Sequence, residues 1–152
     1  MKKLVLAAAV SLIASTSAHA ENRDILSYDK AATALSACTA LASKNKWNMS
    51  VVIVDRSADP LATARMTDAL EPSYTGATLK ASSSVAWGMP TDGIEDFIKD
   101  KPQFRAFPGL LTIAGGLPLF SENKTLIGAV GVAGSAPAND KACAQAIVDA
   151  LK

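Results

Sequence analysis

Residues 115–134 read GGLPLFSENKTLIGAVGVAG, and the fold turns on how this stretch is read. SENK lies between two apolar runs and has the composition of a hairpin turn. Residues 117–120 and 126–133 are therefore expected as paired strands. Alternation along the second strand puts Val130 and Val132 on one face and Ala129, Gly131 and Ala133 on the other. The first face is an ordinary core face. The second is almost bare of side chain, and glycine inside a strand marks a bulge or the close approach of another body. A helix lying directly on the strand, a flat ligand or a partner subunit each satisfies that description. The alanine-rich first and last helices suit the first option. The adjacent Gly115 and Gly116 leave backbone N–H groups unshielded, which makes them candidate ligand contacts. They do not form a phosphate loop, because no Walker lysine follows and the G-x-G-x-x-G spacing is absent.

Upstream, residues 28–45 carry Ala34, Cys38, Leu41 and Ala42 at helical spacing. Asp29 suits the first turn of that helix. MSVVIVD at 49–55 is rich in β-branched residues and reads as a buried strand. RSADP turns the chain into a second strand at 61–66, so the two form a hairpin. Residues 73–87 read as a second helix and 92–100 as a short one. KPQFRAFPG at 101–109 reads as a loop, and 110–113 as a further strand. Asn139 or Asp140 caps a last helix that runs to 151, with Cys143, Ala146, Ile147 and Ala150 inward. Segregated hairpins and helices predict an α+β fold with a mostly antiparallel, five-stranded sheet packed with helices.

The chain has 152 residues, of which 1–20 read as a secretory signal peptide. Lys2 and Lys3 precede the apolar run 4–13, and Ala18-His19-Ala20 is an A-x-A cleavage site. Residues 21–152 then form a single exported domain, periplasmic or secreted, and no later segment is apolar for the roughly 18 residues of a membrane span. The formal net charge of +1 gives no reason to expect nucleic acid. The only histidine, His19, falls in the signal segment. The exported chain therefore lacks an imidazole for a catalytic triad, a zinc site or a haem iron.

Cys38 and Cys143 are the only cysteines. In an oxidising compartment an even pair predicts a disulfide between the first and last helices. Two separately buried thiols are the alternative. Asp55, Asp59 and Asp68 do not match the spacing of a calcium loop, and no metal site is expected. Phe104 and Phe107 either cover a sheet edge or wall a pocket or subunit contact.

Several segments together resemble the GlcG/HbpS-like proteins, also called the haem-degrading or DUF336 family. They are the IVD-type end of the strand at 52–55, Arg65-Met66-Thr67-Asp68-Ala69, Lys80-Ala81-Ser82-Ser83, Gly115-Gly116-Leu117-Pro118-Leu119 and GAVGVAG at 128–134. The resemblance runs over nearly the whole exported chain, and the last two segments are its most specific part. RSADP stands where the family has a glycine pair. The resemblance implies a profilin-like sandwich, homo-oligomerisation, and binding of a small ligand, most often haem or a related tetrapyrrole. It places Arg65 and Lys80 beside Gly115 and Gly116 as ligand contacts, with Arg65 suited to grip a carboxylate such as a haem propionate. The plain alternatives are an ion pair with a nearby acid for Arg65 and a solvated side chain for Lys80. Met66, Met89 and Tyr74 are the residues that could otherwise meet a tetrapyrrole. The alternative function is an enzyme of haem or small-organic-acid metabolism, with acid–base work left to Asp, Glu, Lys or Tyr.

Overall fold

A computed structural model describes residues 24–152. The signal-peptide reading and His19 lie outside the described residues. The elements follow in the order α1 (Tyr28–Asn45), β1 (Ser50–Asp55), β2 (Pro60–Arg65), α2 (Ser73–Trp87), α3 (Thr91–Ile98), a 3-10 turn (Pro102–Ala106), β3 (Gly116–Phe120), β4 (Leu126–Ala133) and α4 (Pro137–Ala150). The fold is α+β. The strands make one antiparallel sheet in the order β2-β1-β4-β3, with β1 and β4 in its centre.

β1 is apolar on both sides because both sides are covered. Val51 and Ile53 join Val130 and Val132 against α1 and α4. Val52 and Val54 join Ala129 and Ala133 against Ala77, Ala81 and Val85 of α2. All of these valines and Ile53 are essentially out of water. Each such side chain contributes about 1.5–3 kcal/mol relative to exposure. On α1 the buried stripe is Ala31, Ala34, Cys38 and Ala42. Leu41, expected on that stripe, is only partly buried.

The sheet has four strands, not the five expected. Residues 110–113 do not pair with a neighbour. Their backbone is tied instead to helix side chains: Leu111 N donates to Ser83 Oγ at 2.8 Å, and Thr91 Oγ1 donates to the Ile113 carbonyl at 2.8 Å. β3 is left as an edge, and Pro118 within it removes one donor from the edge ladder. The last helix also begins earlier than expected. Pro137 occupies its first turn, where a missing N–H costs nothing, so Asp140 lies inside the helix rather than at its cap. Among the described residues no helix is long and apolar enough to cross a membrane.

Candidate functional site

The bare face of β4 belongs to α2, not to the first or last helix. A Cβ at Gly131 would overlap the Ala77 carbonyl oxygen and come within 2.5 Å of the Ala81 nitrogen. Glycine there lets the α2 backbone rest on the strand. The close approach read from the sequence is therefore made by the protein's own helix.

That approach carries Lys80 into the interior. Its ammonium donates to Asp140 Oδ2 at 2.7 Å and to the Val132 carbonyl at 2.9 Å. The other Asp140 oxygen, Oδ1, accepts from Ser135 N at 3.1 Å. The side chains of Lys80 and Asp140 are 3% and 4% exposed. Burial holds the Asp140 carboxyl above its ordinary range, against the pull of the Lys80 hydrogen bond and charge and of the Ser135 amide. Such a pair is satisfied but gains little over apolar packing, and its loss of one partner is costly.

The paired glycines make room for this ion pair. Gly115 has φ +121°, and a Cβ on it would lie 2.6 Å from the Val132 carbonyl oxygen, 2.8 Å from Asp140 Cβ and 3.0 Å from Lys80 Nζ. A Cβ on Gly116 would lie 2.5 Å from the Lys80 carbonyl oxygen. Gly116 N donates to Thr91 Oγ1 at 3.0 Å. Lys80, Gly115 and Gly116 thus come together, as the sequence reading placed them, but the space between them is filled by Asp140, Val132 and Thr91. Arg65 does not join them. It ends the outer strand β2, is 40% exposed, donates to the Ala69 carbonyl at 2.8 Å and lies 3.5 Å from Glu71. Asp140 is the partner the sequence reading missed. Its signal was spacing, since Asp140, Cys143, Ala144 and Ile147 are the buried residues of α4 and recur at i, i+3, i+4 and i+7.

Cys38 and Cys143 form a disulfide that joins α1 to α4. Phe104 and Phe107 pack edge-on against Trp87, with Phe97 beside them. This aromatic cluster closes the space between the end of α2, α3 and the 3-10 turn. Phe97 and Phe107 keep 45% and 56% of their surface exposed. Among the described residues no three His, Cys, Asp or Glu side chains converge on a metal-sized space.

A groove of about 610 Å³ lies elsewhere, between the segment before α1, the β3–β4 hairpin and the end of α4. Its walls include Ile25, Leu26, Phe120, Ile127, Val148 and Leu151. Asp24 fastens the leading segment to the hairpin by accepting from Ser121 Oγ at 2.8 Å and Asn123 Nδ2 at 3.0 Å. Those two bonds hold its carboxyl below the ordinary range. Lys30 and Lys152 border the groove and also a second cavity of about 320 Å³ beside it. The larger volume falls within the roughly 300–1,000 Å³ of small-ligand sites.

Residues 26–149 match the family model described as haem degrading protein HbpS-like. The chain belongs to that family. Among solved structures, a double mutant of HbpS from Streptomyces reticuli superposes with a TM-score of 0.81 at 29% identity, over 95% of this chain and 99% of that one. A complex of PduOC with haem superposes with a TM-score of 0.75 at 27% identity, over 83% of this chain and 94% of that one. The Klebsiella pneumoniae protein ORFY, of DUF336, shares the fold with a TM-score of 0.78 at 23% identity, over 86% of this chain and 94% of that one. No curated protein sequence matches. The family resemblance read from the five sequence segments is thus shown over residues 26–149.

Proposed function

We propose that the protein is exported, periplasmic or secreted, and that it binds haem or a related tetrapyrrole as a homo-oligomer. The observation that carries the ligand is the likeness, across most of both chains, to a relative solved with haem bound. Membership of a family described by haem supports it. Export rests on the leading lysines, the short apolar run and the A-x-A site, and the Cys38–Cys143 disulfide suits an oxidising compartment. The exposed surfaces of Phe97 and Phe107 supply apolar area for a subunit contact.

The residues fit the organic part of haem better than its iron. The groove beside the β3–β4 hairpin offers apolar walls and two lysines. It offers no histidine, cysteine, methionine or tyrosine to an iron atom. Both cysteines are committed to the disulfide. No step of a haem reaction is therefore assigned to residues of this chain.

The family description favours a second reading, an enzyme of haem or small-organic-acid metabolism. One experiment separates the two. Purified residues 21–152 are titrated with hemin, weighed intact by native mass spectrometry, and then held with ascorbate in air. A stoichiometric complex whose Soret band persists supports a binding protein. Steady bleaching of that band supports the enzyme, and a titration with no complex at all removes haem from both readings.

A further inference from the structure

The groove differs from the Lys80 region in being open, with apolar walls and unburied charges at its edge. Ile25 and Phe120 stand at its rim, 71% and 52% exposed, and Leu26 and Leu119 form its floor. Two lysines and two carboxylates line the groove, and Asp29 stands with the lysines in the adjoining cavity. Lys30, in the first turn of α1, and Lys152, after α4, also share the adjoining cavity, so they lie on one side. Asp24 and Glu122 line the groove from the leading segment and the hairpin turn. Asp24 is already engaged by Ser121 and Asn123. Lys152 has a neighbour in Asp149 at 2.8 Å, but that pair is largely exposed and weakly held. No ion pair engages Lys30 among the described residues. A ligand with an apolar body and carboxylates at one end fits this arrangement, carboxylates towards the lysines.

From this geometry we infer that the groove seats the tetrapyrrole through its apolar ring and its carboxylates, indifferent to the central metal. The inference rests on the tetrapyrrole reading above and adds to it the place and the manner of binding. A metal-ligating pocket needs a donor side chain aimed at the ring centre. The lining of this groove has none of the usual ones. Affinity then comes from buried apolar area, and orientation from Lys30 and Lys152. Hemin and metal-free protoporphyrin IX are equivalent to such a site.

The test titrates residues 21–152 with hemin and, separately, with protoporphyrin IX. Binding is followed by absorbance for the first, fluorescence for the second, and the methyl resonances of Ile25 and Ile127 for the location. The expected result is two dissociation constants within about threefold, both ligands shifting those methyls. Lys30→Glu with Lys152→Glu should weaken both on the order of tenfold, which corresponds to about 1.4 kcal/mol. Both lysines are exposed, so the double variant keeps its fold, and an unchanged circular dichroism spectrum confirms it. Arg65→Ala, at the end of β2, should change neither constant. Hemin binding without protoporphyrin binding overturns the inference, because the metal then matters. Hemin binding that depends on Arg65 and ignores Lys30 and Lys152 also overturns it, while leaving the tetrapyrrole reading in place. Failure of both ligands to bind overturns the two together.

Discussion

Lys80 and Asp140, sixty positions apart in sequence, meet at 2.7 Å with almost no exposed surface. The pair joins α2 to α4 across the end of β4. Lys80→Met leaves a buried carboxylate without its cation, which costs about 3–5 kcal/mol. Burial already holds the Asp140 carboxyl above 3.8, and Lys80 is what pulls hardest against it. A carboxyl raised by folding contributes stability below its unfolded pKa and loses that contribution as pH rises through the folded value. Without Lys80 the upward shift grows. The Lys80→Met variant should therefore be least destabilised near pH 3.8 and progressively more so towards neutrality. Lys80→Met with Asp140→Leu should recover much of the loss and flatten the dependence. Urea denaturation across pH checks both, and a single variant with unchanged stability would remove the pair from the fold's energetics.

Gly131→Ala should be severely destabilising. Its methyl would strike the backbone of α2 at Ala77 and Ala81, not a flexible side-chain end. Overpacking of this kind costs about 1–3 kcal/mol and sometimes more. Here the upper end is expected, because a whole helix must lift from the strand. Thermal denaturation should show a markedly lower midpoint, whereas Gly88→Ala, where the added methyl meets open space in a left-handed turn, should be milder.

The disulfide closes a separation of 105 residues. A loop of that order is worth about 4–5 kcal/mol in the chain-entropy account, and losing a native disulfide from a small domain costs about 2–5 kcal/mol. Cys38→Ser with Cys143→Ser should lower stability within that range. α1 and α4 should exchange amide hydrogens faster, while α2, on the opposite face of the sheet, is less affected. Hydrogen exchange resolved by helix measures this difference.

Much of the fold was legible because it is written in short-range pattern. α1, α2 and β4 fall where their spacing places them, and β1 was marked by its β-branched run. The run at 110–113 misled for a physical reason. It has strand-like composition, but Ser83 and Thr91 satisfy its backbone from two helices, and no local pattern reports that. The bare face of β4 was correctly read as a contact surface, yet only the register of α2 reveals which helix fills it. Lys80 reads from sequence as a ligand contact or a solvated charge, and not as half of a buried pair, because its partner is distant in sequence. The groove was not legible at all. It is assembled from the residues before α1, the β3–β4 hairpin and the end of α4, which carry no shared motif.

Glu95 ties the least regular part of the chain to α3. It accepts two hydrogen bonds from Arg105, at 2.5 and 3.1 Å, and one from Thr112 Oγ1. Arg105 lies in the 3-10 turn, and Thr112 in the segment that fails to become a strand. Arg105 first, then Thr112, hold the Glu95 carboxyl down from 4.5 to about 2. A carboxyl lowered by folding contributes stability above its unfolded pKa and loses it as pH falls through the folded value. The tether should therefore hold at neutral pH and weaken between 4.5 and about 2. Since both side chains are partly solvated, the effect should be local and reduced by salt. Hydrogen exchange or limited proteolysis over residues 101–113 should quicken in that acid window while the sheet stays protected. Glu95→Gln should show the quickened state already at neutral pH. An unchanged rate in this variant would mean that the Trp87 and Phe104 packing alone holds the segment.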